Sequence, residues 1–97
     1  MRLSPSSQYE VATQIASFIR LATIGYGAVA THVGEAGHPG AAIVAIAETG
    51  HTDCTAKVAV RADRLVYASH TGTHVSYPIR REDAGRIIVG FLSMERD

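Results

Sequence analysis

The stretch Thr55–His74, read TAKVAVRADRLVYASHTGTH, decides the fold of this chain. Apolar and polar side chains alternate on both sides of Ala62-Asp63, as they do in a half-exposed antiparallel strand pair. With Ala62-Asp63 as the turn, the apolar members share one face: Ala56, Val58, Val60, Leu65 and Tyr67. A shift of one residue would turn that face to solvent, so the pattern predicts this register.

The chain before the hairpin predicts one helix and two short strands. A helix over residues 8–23 would bury an apolar stripe that recurs at helical spacing: Val11, Ile15, Phe18, Ile19 and Ala22. Its start is open between a capping box of Ser7 with Glu10 and a Ser4 cap with Pro5 in the first turn. Residues 28–33 and the apolar run 41–48 predict strands, separated by a glycine-rich turn.

The chain after the hairpin predicts departure from the sheet and a closing helix. Pro78 cannot donate a ladder hydrogen bond, so we expect Ser76-Tyr77-Pro78 to leave the sheet. Residues 81–95 favour a helix, although Gly85 and Gly90 weaken that helix and leave a final strand open. The predicted fold is a small α+β sandwich with an antiparallel sheet of about four strands and both helices on one face.

Composition bounds the class of protein. The chain has 97 residues, 46% of them hydrophobic and 19% charged, which favours one globular domain over residues 1–97. Equal numbers of cationic and anionic side chains, nine each, make nucleic acid an unlikely partner. The single cysteine, Cys54, favours a reducing cytoplasm, and no apolar run suggests a signal peptide or a membrane partner.

Histidines near the hairpin form a candidate metal site. If the register continues outward from Thr55 and His70, then His51 faces His74 and Cys54 lies beside them. Imidazole and thiolate are ligands that zinc prefers. The sequence therefore proposes His51, His70, His74 and Cys54 as zinc ligands, provided that the chain bends at Gly72. Without such a metal, no cofactor is expected.

Residues 70–78, HTGTHVSYP, resemble a signature of the metal-dependent cyclase and kynurenine-formamidase family, His-x-Gly-Thr-His-x-Asp-x-Pro. The resemblance implies that His70 and His74 bind metal for amide hydrolysis. Ser76 stands where that family has its third ligand, an aspartate. The match covers nine residues and leaves the ligand set incomplete, so we assign no family and no catalytic residue.

Two further groups of residues are candidates for binding. A basic patch for an acidic partner would contain Lys57, Arg61, Arg64, Arg80 and Arg81. A small-ligand pocket at a dimer seam would be lined by Thr71, Thr73 and Tyr77.

These features favour a small non-catalytic binding or regulatory protein that acts through protein contacts, as phage-type inhibitors do. Exposed strand edges and a net charge of zero predict a homo-oligomer, in the simplest case a homodimer. Two alternatives stay open. One is a zinc-binding protein or metal-dependent hydrolase, and the other is a small-ligand or nucleotide sponge.

Overall fold

A computed structural model describes residues 2–95, which form two helices and five strands. The elements follow one another as α1 (Pro5–Ala22), β1 (Tyr26–Ala30), β2 (Ala42–Glu48), β3 (Ala56–Val60), β4 (Arg64–Ser69), β5 (His74–Pro78) and α2 (Ala84–Glu95). The predicted α+β class and the placement of both helices are confirmed. The sheet has five strands instead of about four.

Each strand pairs with the next one in antiparallel fashion, so the spatial order is β1-β2-β3-β4-β5. The central hairpin has the predicted register: Val60 pairs with Leu65 and Val58 with Tyr67. The Arg61 N–H donates to the Arg64 carbonyl at 2.9 Å, which closes the turn at Ala62-Asp63. Alternation in the sequence was sufficient for this register because both strands bury the same apolar face.

Helix α1 begins three residues before the predicted start. The Ser4 hydroxyl accepts a hydrogen bond from the Ser7 N–H at 3.2 Å, and Pro5 occupies the first turn. The alternative capping box of Ser7 with Glu10 is therefore wrong. The earlier start places Gln8 in the buried stripe, while Phe18, predicted to be buried, is 41% exposed.

Strand β1 lies two residues earlier than predicted and ends at Ala30 instead of residue 33. Its pairing begins with Tyr26 opposite Glu48. Helix α1 instead ends at Ala22, where the Thr23 N–H donates to the Ile19 carbonyl at 3.0 Å.

Strand β5 corrects the prediction that Ser76-Tyr77-Pro78 leaves the sheet. Pro78 pairs with Arg64 in an edge strand. The Ser69 N–H donates to the Thr73 carbonyl at 2.9 Å, and the alternation of an antiparallel ladder then points the backbone groups of residues 74, 76 and 78 away from β4. Pro78 has no N–H at a position where none is needed, so it costs no ladder bond.

Helix α2 confirms the helical alternative for the last segment, beginning at Ala84 instead of residue 81. Of the two glycines that weaken the helix prediction, Gly85 has a structural reason. A Cβ built on Gly85 would lie 2.7 Å from the Phe18 Cβ, so a side chain there would clash with α1. The glycine therefore permits the close contact between the two helices.

Both helices lie on one face of the sheet and enclose the core. The side chains buried there come from α1, α2 and the alternate residues of β1 to β4, among them Val11, Ile15, Ile19, Val44, Ile46, Val58, Leu65, Tyr67, Ile88 and Leu92. Within residues 2–95, no helix lies against the opposite face of the sheet.

Candidate functional site

The sheet face opposite the helices, here called the open face, carries small apolar side chains across its width. Its members alternate with the core residues along each strand: Gly27, Val29, Ala45, Ala47, Lys57, Ala59, Val66, Ala68, His74 and Ser76. Val29 is 66% exposed on this face. An antiparallel sheet that faces water usually presents polar side chains there, so alanines and valines at these positions are unusual for a solvated surface.

A depression of about 230 Å³ lies at the β3–β5 side of the open face. Four side chains with N–H donors border it: His38, Lys57, Arg61 and His74. We call this feature the basic depression. Its floor is apolar and is formed by Ile43, Ala59, Val66 and Ala68.

Strand register explains why these side chains meet. Lys57 pairs with Ala68, and Ala68 pairs with His74, so lysine and histidine lie in one row across three strands. At about 4.8 Å between strands, their backbones are roughly 10 Å apart, a gap that long side chains can close. Arg61 follows Lys57 by four residues, directly after the end of β3, so the alternation of the strand places it on the same face.

The predicted basic patch is divided by the fold. Arg64 lies 3.4 Å from the carboxylate of Asp63, Arg80 lies 3.2 Å from Asp83, and Arg81 lies 3.6 Å from Glu10. For Lys57 and Arg61, in contrast, residues 2–95 supply no carboxylate at ion-pair distance. Only these two members of the predicted patch belong to the basic depression.

The four predicted metal ligands are not brought together. His51, Cys54 and His70 border one depression beside the β2–β3 connection. His74 lies on β5 and borders the basic depression instead. Within residues 2–95, no three histidine, cysteine or acidic side chains are arranged to hold one metal ion.

Gly72 decides this separation. It adopts a φ of 96°, and the Gly72 N–H donates to the Ser69 carbonyl at 3.2 Å, so the chain reverses directly into β5. The expected pairing of Thr55 with His70 is present, since the His70 N–H donates to the Thr55 carbonyl at 3.0 Å. The further expectation that His51 faces His74 is wrong, because His74 pairs with Ala68.

His70 and Cys54 differ in how firmly they are held. The Nδ1 atom of His70 lies 2.9 Å from the Thr55 carbonyl oxygen, which can only accept, so Nδ1 carries the proton and Nε2 is left for another partner. Cys54 is exposed. His51 is exposed and lies 3.6 Å from Glu48.

The predicted small-ligand residues contact the end of α2. The Thr71 hydroxyl donates to Glu95 Oε2 at 2.5 Å, and the Tyr67 hydroxyl donates to Glu95 Oε1 at 3.4 Å. The hydrogen bond from Thr71, with smaller contributions from Ser69 and Thr73, lowers the pKa of Glu95. Tyr77 lies farther along β5, edge-on to Phe91 with ring centroids 6.2 Å apart.

The pKa of Tyr67 is raised, whereas the pKa of Glu95 is lowered. Burial raises the pKa of the Tyr67 hydroxyl, and the charge of Glu95 raises it further. Tyr67 therefore remains a neutral hydrogen-bond donor to Glu95. Together these contacts attach the end of α2 to the β4–β5 turn.

His38 is the functional candidate that sequence reasoning missed. It lies in the connection between β1 and β2, where GEAGHPG was interpreted only as a turn. Its place beside Ile43 depends on how that connection folds against the sheet, and no local pattern in the sequence carries this information.

Comparison with protein families, curated proteins and solved structures finds no match for this chain. The resemblance of residues 70–78 to a metal-hydrolase signature is thus not accompanied by a family match. Among the helices of residues 2–95, none is long and apolar enough to cross a membrane.

Proposed function

We propose that this protein is a non-catalytic binding module that docks an acidic partner protein on the open face of its sheet. The observation that carries the proposal is the one-sided architecture: both helices cover one face, and the other face exposes small apolar side chains beside cations without carboxylate partners. Exposed apolar patches rimmed by polar groups mark sites of protein contact.

Most side chains of the open face favour contact over chemistry. Alanine, valine and glycine contribute shape and apolar area, and they carry no group that attacks a carbonyl or moves a proton. Small side chains also project only a short distance from the sheet, so an opposing helix or strand can approach its backbone closely. A regulatory role through occlusion or bridging of the partner is consistent with such a surface.

Charge favours an acidic partner over a second copy of the chain on this face. Two copies stacked about a two-fold axis through the basic depression would bring Lys57 and Arg61 of each copy close to the same cations of the other. Like charges that face each other across an interface weaken association by roughly several kcal/mol. An acidic surface would instead be attracted.

In-cell photo-crosslinking tests the proposal. A photoreactive amino acid replaces Ala45 on the open face, and a control protein carries it in place of Thr13 on the exposed side of α1. We expect a discrete crosslinked partner from position 45 and none from position 13. The same adduct from position 13, or adducts from position 13 alone, would contradict docking on the sheet.

A further inference from the structure

We infer that the basic depression is the recognition point of the open face, and that it binds a carboxylate side chain carried next to an apolar one in an acidic peptide segment of the partner. The inference rests on the proposed docking function and names the chemistry of its central contact.

The rim of the basic depression supplies the donors that a carboxylate requires. Arg61 offers a planar fork that can bond both carboxylate oxygens, and Lys57 offers a point charge on a flexible stem. His38 and His74 each add at least one ring N–H donor, whichever tautomer is present. None of these four side chains has a carboxylate partner among residues 2–95.

The floor of the basic depression selects against a bare anion. Ala59, Val66 and Ala68 lie beneath the rim and are half-buried, and Ala59 is the direct cross-strand neighbour of Val66. These groups offer no hydrogen bonds, so a phosphate or a free inorganic ion would leave this surface unused. A side chain such as leucine beside the carboxylate would cover it and gain apolar burial.

The size and setting of the basic depression match a peptide side chain. About 230 Å³ accommodates one or two side chains and is small for a nucleotide-sized ligand, whose pockets span about 300–1,000 Å³. The depression extends from Lys57 on β3 to His74 on β5, so a peptide segment that lies across the open face can reach both side chains.

Peptide titration followed by NMR tests this inference. The probe is an acetylated, amidated Gly-Leu-Glu-Leu-Gly peptide, and its control replaces glutamate with glutamine. Charge-assisted hydrogen bonds are worth about 1.5–3 kcal/mol, so we expect the glutamate peptide to bind at least about tenfold more tightly. The affected backbone amides should cluster at residues 38, 57–61, 66 and 74.

Two double variants separate local recognition from net charge. Lys57→Gln/Arg61→Gln and Arg80→Gln/Arg81→Gln each remove two positive charges, but only the first pair borders the basic depression. We expect the first variant to lose at least about tenfold in peptide affinity and the second to bind like wild type. Equal loss in both variants, or the same affinity for both peptides, would overturn the inference.

The outcome is distinguishable from failure of the proposed function. If the Lys57→Gln/Arg61→Gln variant still crosslinks the partner at position 45, then the partner docks on the open face but is not recognised through a carboxylate in the basic depression. A partner trapped equally from position 13 would contradict both.

Discussion

Gln8 is a buried polar side chain that connects three segments of the fold. Its Nε2 atom donates to the Gly40 carbonyl and to the Val60 carbonyl, both at 2.9 Å. The side chain is 3% exposed, so both hydrogen atoms of the amide are used where water does not compete. The bonds attach the first turn of α1 to the end of β3 and to the connection before β2.

Replacement of Gln8 by leucine should destabilise the fold although it adds apolar surface. The variant would remove the donor of the Gly40 and Val60 carbonyls, of which the Val60 carbonyl is buried, and loss of a hydrogen bond to a buried polar group costs about 1–3 kcal/mol. The free energy of unfolding, measured by urea denaturation, should fall by that amount. Gln14→Leu, at an exposed site on the same helix, should change it by no more than about 0.5 kcal/mol. Equal effects of both substitutions would contradict this role.

Glu95 should make the stability of the protein depend on pH. Its pKa is lowered in the folded state, chiefly by the hydrogen bond from Thr71, so folding favours the carboxylate form. The resulting stabilisation is fully present above the ordinary pKa of a glutamate and is lost as pH falls through the lowered folded value.

Glu95→Gln should therefore weaken the acid dependence of the melting temperature. We expect wild type to lose more stability than the variant between pH 6 and pH 3, with the two curves converging at the acid end. Glu82→Gln, at an exposed position before α2, serves as the control. Parallel curves for wild type and Glu95→Gln would show that the contact does not stabilise the folded state.

At the scale of elements, the two glycines of α2 should respond to alanine in opposite directions. Gly90→Ala adds a methyl group with nothing within 4 Å and should stabilise the helix by about 0.5–1 kcal/mol. Gly85→Ala has the same propensity gain, but its Cβ would meet Phe18 at 2.7 Å. Overpacking costs about 1–3 kcal/mol, so the net effect should be destabilising.

Thermal denaturation of the two alanine variants checks this pair of predictions. A higher melting temperature for Gly90→Ala with a lower one for Gly85→Ala is expected. Stabilisation by both substitutions would mean that α1 and α2 do not approach each other as closely as the Gly85–Phe18 contact requires.

Strands were predictable where the sequence itself alternates between apolar and polar residues. They were not predictable where their existence or boundaries depend on which strands lie beside them in the sheet. The pattern around Val58, Val60, Leu65 and Tyr67 contains its own register. Pro78 argued against a fifth strand because proline has no N–H donor. The sequence does not show that β5 is an edge strand in which the N–H at this position would face outward. The boundaries of β1 likewise depend on its partner, β2.

The candidate site was predictable only in part for the same reason. Lys57 and Arg61 were identified because they lie on the polar side of the hairpin pattern. His38 and His74 join them through the fold of the β1–β2 connection and the reversal at Gly72, which are non-local features. The histidine and cysteine set was misjudged because Gly72 turns the chain into a strand instead of an open loop.

At the scale of the whole molecule, the two edges of the sheet differ in how they are protected. The Arg20 side chain donates to the Ala28 carbonyl at 2.7 Å. Pairing of Gly25 and Thr31 with β2 indicates that this carbonyl points to the free edge of β1. On β5, Pro78 has no N–H to offer, and among residues 2–95 no hydrogen bond covers the outward backbone groups of residues 74 and 76, so they remain for another strand.

The predicted homo-oligomer, where it forms, should therefore use β5. Ser76→Pro would remove an outward N–H without breaking a ladder bond, since Pro78 already tolerates this geometry. Light scattering should show wild type as a dimer and Ser76→Pro as a monomer with an unchanged circular dichroism spectrum. A dimer in both proteins would exclude β5 as the interface, and a wild-type monomer at high concentration would contradict the homo-oligomer prediction itself.

The central claim is that a partner protein docks on the open face, and a matched pair of surface variants tests it most directly. Val29→Glu and Leu21→Glu each replace a largely exposed aliphatic side chain with an acidic one, on the open face and on α1 respectively. The measurement is the amount of the partner crosslinked at position 45 that copurifies with each variant from its native cell. The account predicts loss of the partner with Val29→Glu and full recovery with Leu21→Glu. Full recovery with Val29→Glu would contradict it.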